Sequence, residues 1–202
     1  MENNIIAPKE WANPTPAGLV ALAIACFGFF ALLTGKVEHG ALPLFGCFLI
    51  GGFVVQFIVA LLDLKSGNLA GGNTFLFFCA YFMLASGLEM FFKFFVTDLD
   101  PRIDAWCWMV LAASLILWTP AFFKSVALLF YLVVGVDIAL PFVVLADLRI
   151  FSPETTKMFA SIAGHTLLLC GLLGIYLSAA LVVNGAYGRK VFPNPAPLYK
   201  GK

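Results

Sequence analysis

Charge is what this chain has least of. Aspartate, glutamate, lysine and arginine make up 11% of its 202 residues, where a soluble domain carries about a quarter. With 62% hydrophobic residues there is too little polar surface to cover a globule in water. The composition therefore excludes a soluble protein and points to an integral membrane protein of one domain. The few charges almost cancel, leaving a net +1. No basic stripe exists to meet phosphates, which excludes nucleic acid as a partner.

Patterned cysteine is also lacking. Cys26, Cys47, Cys79, Cys107 and Cys170 all lie in apolar runs and none forms a C-x-x-C pair. Neither a zinc site nor a disulfide framework is indicated, and buried, inert thiols are expected. G-x-S-x-G, H-E-x-x-H, a P-loop and G-x-G-x-x-G are all absent. No nucleophile–base pair or metal cluster emerges, so the expectation is a protein that is not an enzyme and uses no cofactor or metal. The N-terminal MENNIIAPKEWANP has no positively charged stretch leading into a short apolar core, so no cleaved signal peptide is expected.

What the chain does have is long apolar runs. Six of them, at about 17–34, 43–62, 74–96, 105–122, 126–146 and 158–183, approach the length needed to cross a bilayer. They are apolar all round, without the alternation of a membrane β-strand, and so read as helices. The fourth and fifth are separated by very little, which predicts a tight antiparallel hairpin. Pro120 and Pro141 should each stop or bend their helix. An even number of spans puts both termini on one side. The N-tail, second and fourth loops and C-tail hold seven basic residues against four in the other loops, which favours cytoplasmic termini. Gly51-Gly52, Gly164, Gly171, Gly174 and Ser178-Ala179-Ala180 mark seams where helices approach closely.

Ionisable groups inside the spans are costly and are functional suspects. Glu89 and Lys93 lie four apart on one helix face, in the favourable order for a pair. Asp137 sits deep in the fifth span and needs a cation, hydroxyls or a water-lined cavity. His165 is either a proton relay or a packing histidine. Glu89, Asp137 and His165 are thus the candidates for proton coupling. Gln56 could donate to an anion or staple two helices together. At the mouth of the first span, Asn13-Pro14-Thr15-Pro16-Ala17-Gly18-Leu19 supplies a capping side chain and a first-turn proline. By itself that stretch is a helix start.

This entrance resembles the N-P-A-P-L-G-L signature of the acetate uptake transporter family, which includes the succinate–acetate permeases. Gly51-Gly52, Gln56 and Asp63-Leu64-Lys65-Ser66-Gly67-Asn68 are similar to that family's second-span pattern. Thr74-Phe75, Phe78 and Tyr81 resemble its third-span aromatics, and Tyr176, Asn184, Gly188-Arg189 and Val191-Phe192-Pro193 its closing run. The resemblance is collinear over nearly the whole chain. It implies an all-α integral membrane protein with six transmembrane helices around a narrow pore in each protomer, assembled as a ring-shaped homo-hexamer.

The expected organisation is then a cytoplasmic tail at 1–12, a transmembrane domain at 13–188 and a second cytoplasmic tail at 189–202. The implied cargo is acetate and similar monocarboxylates, crossing the inner (plasma) membrane by proton symport or as a conducted anion. The implied pathway runs by Asn13, Pro14, Thr15, Pro16, Leu22, Gln56, Thr74, Phe78, Tyr81, Val133, Gly174 and Tyr176, with a constriction near Leu22, Phe78 and Val133. Several relatives carry phenylalanine at Leu22 and tyrosine at Phe78. Leu181 replaces an acidic residue of some relatives, so proton coupling could differ here. Smaller side chains at Leu22, Val133 and Gly174 suggest room for lactate. Two other readings stand beside this one: a non-transporting assembly or sensory subunit, and a channel for neutral solutes such as ammonia, water or urea. In Asn194-Pro195-Ala196-Pro197-Leu198 the tail repeats the entrance letters, but no span follows.

Overall fold

A computed structural model describes residues 11–199. It contains six helices long and apolar enough to cross a membrane, and no strand among the described residues. The helices are α1 (Thr15–Leu33), α2 (Leu42–Lys65), α3 (Leu69–Phe95), α4 (Arg102–Trp118), α5 (Ala127–Asp147) and α6 (Pro153–Tyr187). The expected all-α, six-span membrane architecture is therefore found. Most of the 1–12 tail lies outside the described residues.

Local chemistry explains the ends. Ser152 accepts a hydrogen bond from the Thr155 backbone N–H (3.3 Å) and Pro153 occupies the first turn of α6, while Gly188 ends that helix in the left-handed region at φ 61°. At the start of α1 the capping position is Pro14. Asn13, one residue earlier, accepts from the Thr15 N–H at 3.0 Å and shapes the turn instead. Helix α4 stops at Trp118, and Pro120 opens a 3-10 segment, Thr119–Lys124, that leads into the tight hairpin. Helix α5 runs on through Pro141 to Asp147.

The order of packing is a ring. Helix α1 lies against α2 and α6, α2 against α3, and α5 against both α6 and α4. Glycines bring the backbones together in these seams: a Cβ on Gly174 would lie 3.3 Å from the Leu19 carbonyl oxygen, and one on Gly171 would strike the Phe27 ring. The last gap, between α3 and α4, is closed by large rings, with Phe82 against Trp108 (5.8 Å between centroids) and Phe77 against Trp118 (5.3 Å). One span departs from regular helix. Phe78–Ala85 forms π turns, whose wider register leaves Phe78, Cys79, Phe82 and Met83 all buried.

Of the cysteines, Cys26, Cys79 and Cys170 are buried, but Cys47 and Cys107 are exposed on the outside of the bundle. An apolar run around a helix says nothing about which side faces the interior. The glycine pair divides for the same reason: Gly52 faces Met83, whereas Gly51 faces open space.

A substitution test follows from the α2–α3 seam. A Cβ on Gly46 would lie 2.8 Å from the Gly87 carbonyl oxygen and 2.7 Å from the Phe91 ring. Gly46→Val should lower thermal stability in detergent by about 1–3 kcal/mol. Gly51→Ala should change it by less than about 0.5 kcal/mol. Circular dichroism melts of the two variants check both.

Candidate functional site

The ring holds two cavities. The first, of about 60 Å³, lies at the end of the bundle that carries the chain termini. It is lined by Thr15, Leu19 and Leu22 of α1, Gln56 and Asp63 of α2, Thr74, Phe75 and Phe78 of α3, and Leu132, Val133 and Val136 of α5, with Phe122 from the hairpin. The second, of about 200 Å³, lies toward the other end, among Leu32, Phe82, Ser86, Glu89, Lys93, Trp108, Leu140 and Asp147. Phe78 borders one cavity and Phe82 the other, and their rings pack edge to face at 5.3 Å. That contact is an apolar layer where the two linings meet.

Leu22, Gln56, Thr74, Phe78, Val133 and Thr15 thus share one cavity. Gln56 is 1% exposed and its Nε2 donates to the Gly18 carbonyl (3.3 Å), stapling α2 to α1. Its Oε1 and the Thr74 hydroxyl are buried without a partner. Pro16 contributes its carbonyl, which accepts from the Ser178 hydroxyl at 3.0 Å and ties α6 to the start of α1. Asn13 and Pro14 shape the turn just outside.

The other candidates stand elsewhere. Tyr81 is 54% exposed on the outer surface. Gly174 lies in the α1–α6 seam. Tyr176 donates its hydroxyl to the Pro193 carbonyl (2.8 Å), holding the C-terminal tail. Asn184 accepts from the backbone N–H groups of Val191 and Phe192, and the Ala127 N–H donates to the Pro195 carbonyl. The tail that repeats the entrance letters is therefore strapped across the base of α5. His165 is exposed, donates Nδ1–H to the Ser161 carbonyl (2.8 Å) and meets the edge of Phe30. Asp137 accepts from the Thr119 hydroxyl (2.5 Å), the hydroxyl partner its position required, and its other oxygen is unpartnered.

Glu89 and Lys93 do pair, at 3.1 Å, but sequence spacing left out the third member. Asp104, in the first turn of α4, lies 2.8 Å from the same ammonium. Asp147 lines the adjoining cavity, and His39 donates Nε2–H to the Lys93 carbonyl. Three carboxylates from three helices thus gather near one lysine. In the α3–α4 loop itself, the Arg102 guanidinium grips Asp100 and holds its carboxyl down to about 2. Asp63 was also missed as a site residue, although it heads the acidic-x-K-x-G-N run. That run is a corner: Gly67 turns at φ 84°, Asn68 caps α3 by accepting from the Gly71 N–H, and its Nδ2 donates to Asp63 (3.1 Å). Asp63 is 3% exposed there and borders the first cavity.

The class defined by this arrangement is a multi-pass membrane protein with opposed internal cavities. The whole fold is similar to the solved structure of the bacterial acetate channel SatP, with a TM-score of 0.79 at 19% identity, covering 91% of this chain and 99% of that one. No family model and no curated protein sequence matches the chain.

Two outcomes are expected. Phe82→Ala should merge the cavities and raise water permeability of proteoliposomes roughly tenfold, read by stopped-flow light scattering. Lys93→Met should lower stability by about 1–3 kcal/mol, because Glu89 and Asp104 lose their shared donor. Adding Asp104→Asn should recover part of that loss in the same melts.

Proposed function

We propose that this chain passes acetate and similar short monocarboxylates across the inner (plasma) membrane, with its termini in the cytoplasm and six copies in a ring. The observation that carries the reading is the pair of cavities inside the ring, whose linings meet at the apolar layer of Phe78 and Phe82. Similarity in fold to a channel that conducts acetate, over nearly the full length of both chains, supports it.

The chemistry suits a small acid. A methyl group loses little in a space walled by Leu22, Phe78, Val133 and Val136, while Thr15, Gln56 and Thr74 offer polar atoms to the carboxyl end. A full charge carried through that layer would be expensive, so a proton that travels with the acid lowers the barrier. With the smaller side chains of Leu22 and Val133 in the first cavity's wall, the reading extends to lactate beside acetate. Gly174 lies behind that wall, in the α1–α6 seam against Leu19 and Leu132.

Labelled acetate uptake into proteoliposomes, with and without a pH gradient, tests the reading. Uptake should exceed that of empty liposomes, and flux no greater than theirs would end the proposal. Leu22→Trp and Val133→Trp should cut uptake by about tenfold or more by filling the first cavity. Asn13→Ala should reduce it less, by loosening the entrance turn.

A further inference from the structure

The first cavity has a polarity that does not suit an anion. Among the described residues no lysine, arginine or histidine lines it, and its one ionisable side chain is a carboxylate, Asp63. Gln56 adds a second acceptor. Its amide cannot be turned round, because its oxygen would then face the Gly18 carbonyl oxygen now accepting from Nε2. Oε1 is therefore held beside the cavity as a buried acceptor with no donor, and the Thr74 hydroxyl beside it lacks a partner as well. An acetate ion has only acceptors and would leave Oε1 unsatisfied, next to a carboxylate and in apolar surroundings. A neutral molecule that carries both a donor and an acceptor suits this lining: a donor answers Oε1 and a carbonyl answers the Thr74 hydroxyl.

Resting on the proposed transport reading, we infer that Gln56 Oε1 and Thr74 Oγ1 form a selectivity pair for neutral, donor-bearing cargo, and that the conduit carries primary amides such as acetamide as well as the undissociated acid. Acetamide has the shape of acetic acid with an NH₂ donor in place of the hydroxyl. It stays neutral at every pH the protein meets. The second cavity repeats the bias: Glu89 and Asp147 line it beside its single ammonium, Lys93, which is already paired with Glu89 and Asp104.

The test is osmotic swelling of proteoliposomes in acetamide, beside labelled acetate uptake in the same preparation. Acetamide should enter faster than into empty liposomes. Gln56→Met, which keeps the side-chain length without the acceptor, should slow acetamide entry roughly fivefold to tenfold, as expected for one lost hydrogen bond. Thr74→Val should slow it by a similar factor, and serves where Gln56→Met fails to elute as the native assembly. Acetate uptake without acetamide entry would overturn this inference and leave the transport reading standing. Acetamide entry unchanged in both variants would remove the pair as the selecting element. Entry of neither solute would end the transport reading and this inference with it.

Discussion

Six helices enclose a space only if every neighbouring pair is held at the right distance, and here the last pair decides that distance. Glycines let backbones nearly touch along the other seams, with Gly46 against Gly87 and Gly174 against Leu19. Between α3 and α4 the Phe82–Trp108 and Phe77–Trp118 contacts act as a wedge of rings. Small residues on one side of the ring and large ones on the other leave the interior neither collapsed nor wide. The π turns of α3 belong to the same solution. They put Phe78 and Phe82 inside together, one ring bordering each cavity.

Lipid imposes the second constraint. Polar groups inside a bundle need partners, and almost all of those present have one. Asp137 takes the Thr119 hydroxyl, Lys93 takes two carboxylates, and Ser178 takes the Pro16 carbonyl. Against that background the unpartnered atoms beside the first cavity stand out. The contact between the two cavities is apolar, and acids stand in their linings, Asp63 in the first and Glu89 and Asp147 in the second.

Much of the architecture could be read in advance, because the signal was long and redundant. Six runs of membrane length survive errors of several residues at any edge, and the tight fourth–fifth hairpin needed only the short gap between them. Leu22, Gln56, Thr74, Phe78 and Val133 were named together and do share a cavity. Single residues fared differently. Tyr176 binds the tail, His165 and Tyr81 face outward, and Asp104 completes a cluster that helical spacing showed only in part. On helices apolar all round, no periodic stripe distinguishes the inside from the lipid side.

The sequence by itself determined that the chain lives in a membrane, that it crosses as helices, and where it turns. Those outcomes depend on summed hydrophobicity and on local capping, both of which are properties of neighbours along the chain. Tertiary structure alone decided which side chains face the interior, which acid meets Lys93, and which way the Gln56 amide points. Each of those depends on atoms brought close from distant helices, such as the Gly18 carbonyl that fixes Gln56 across 38 residues of chain.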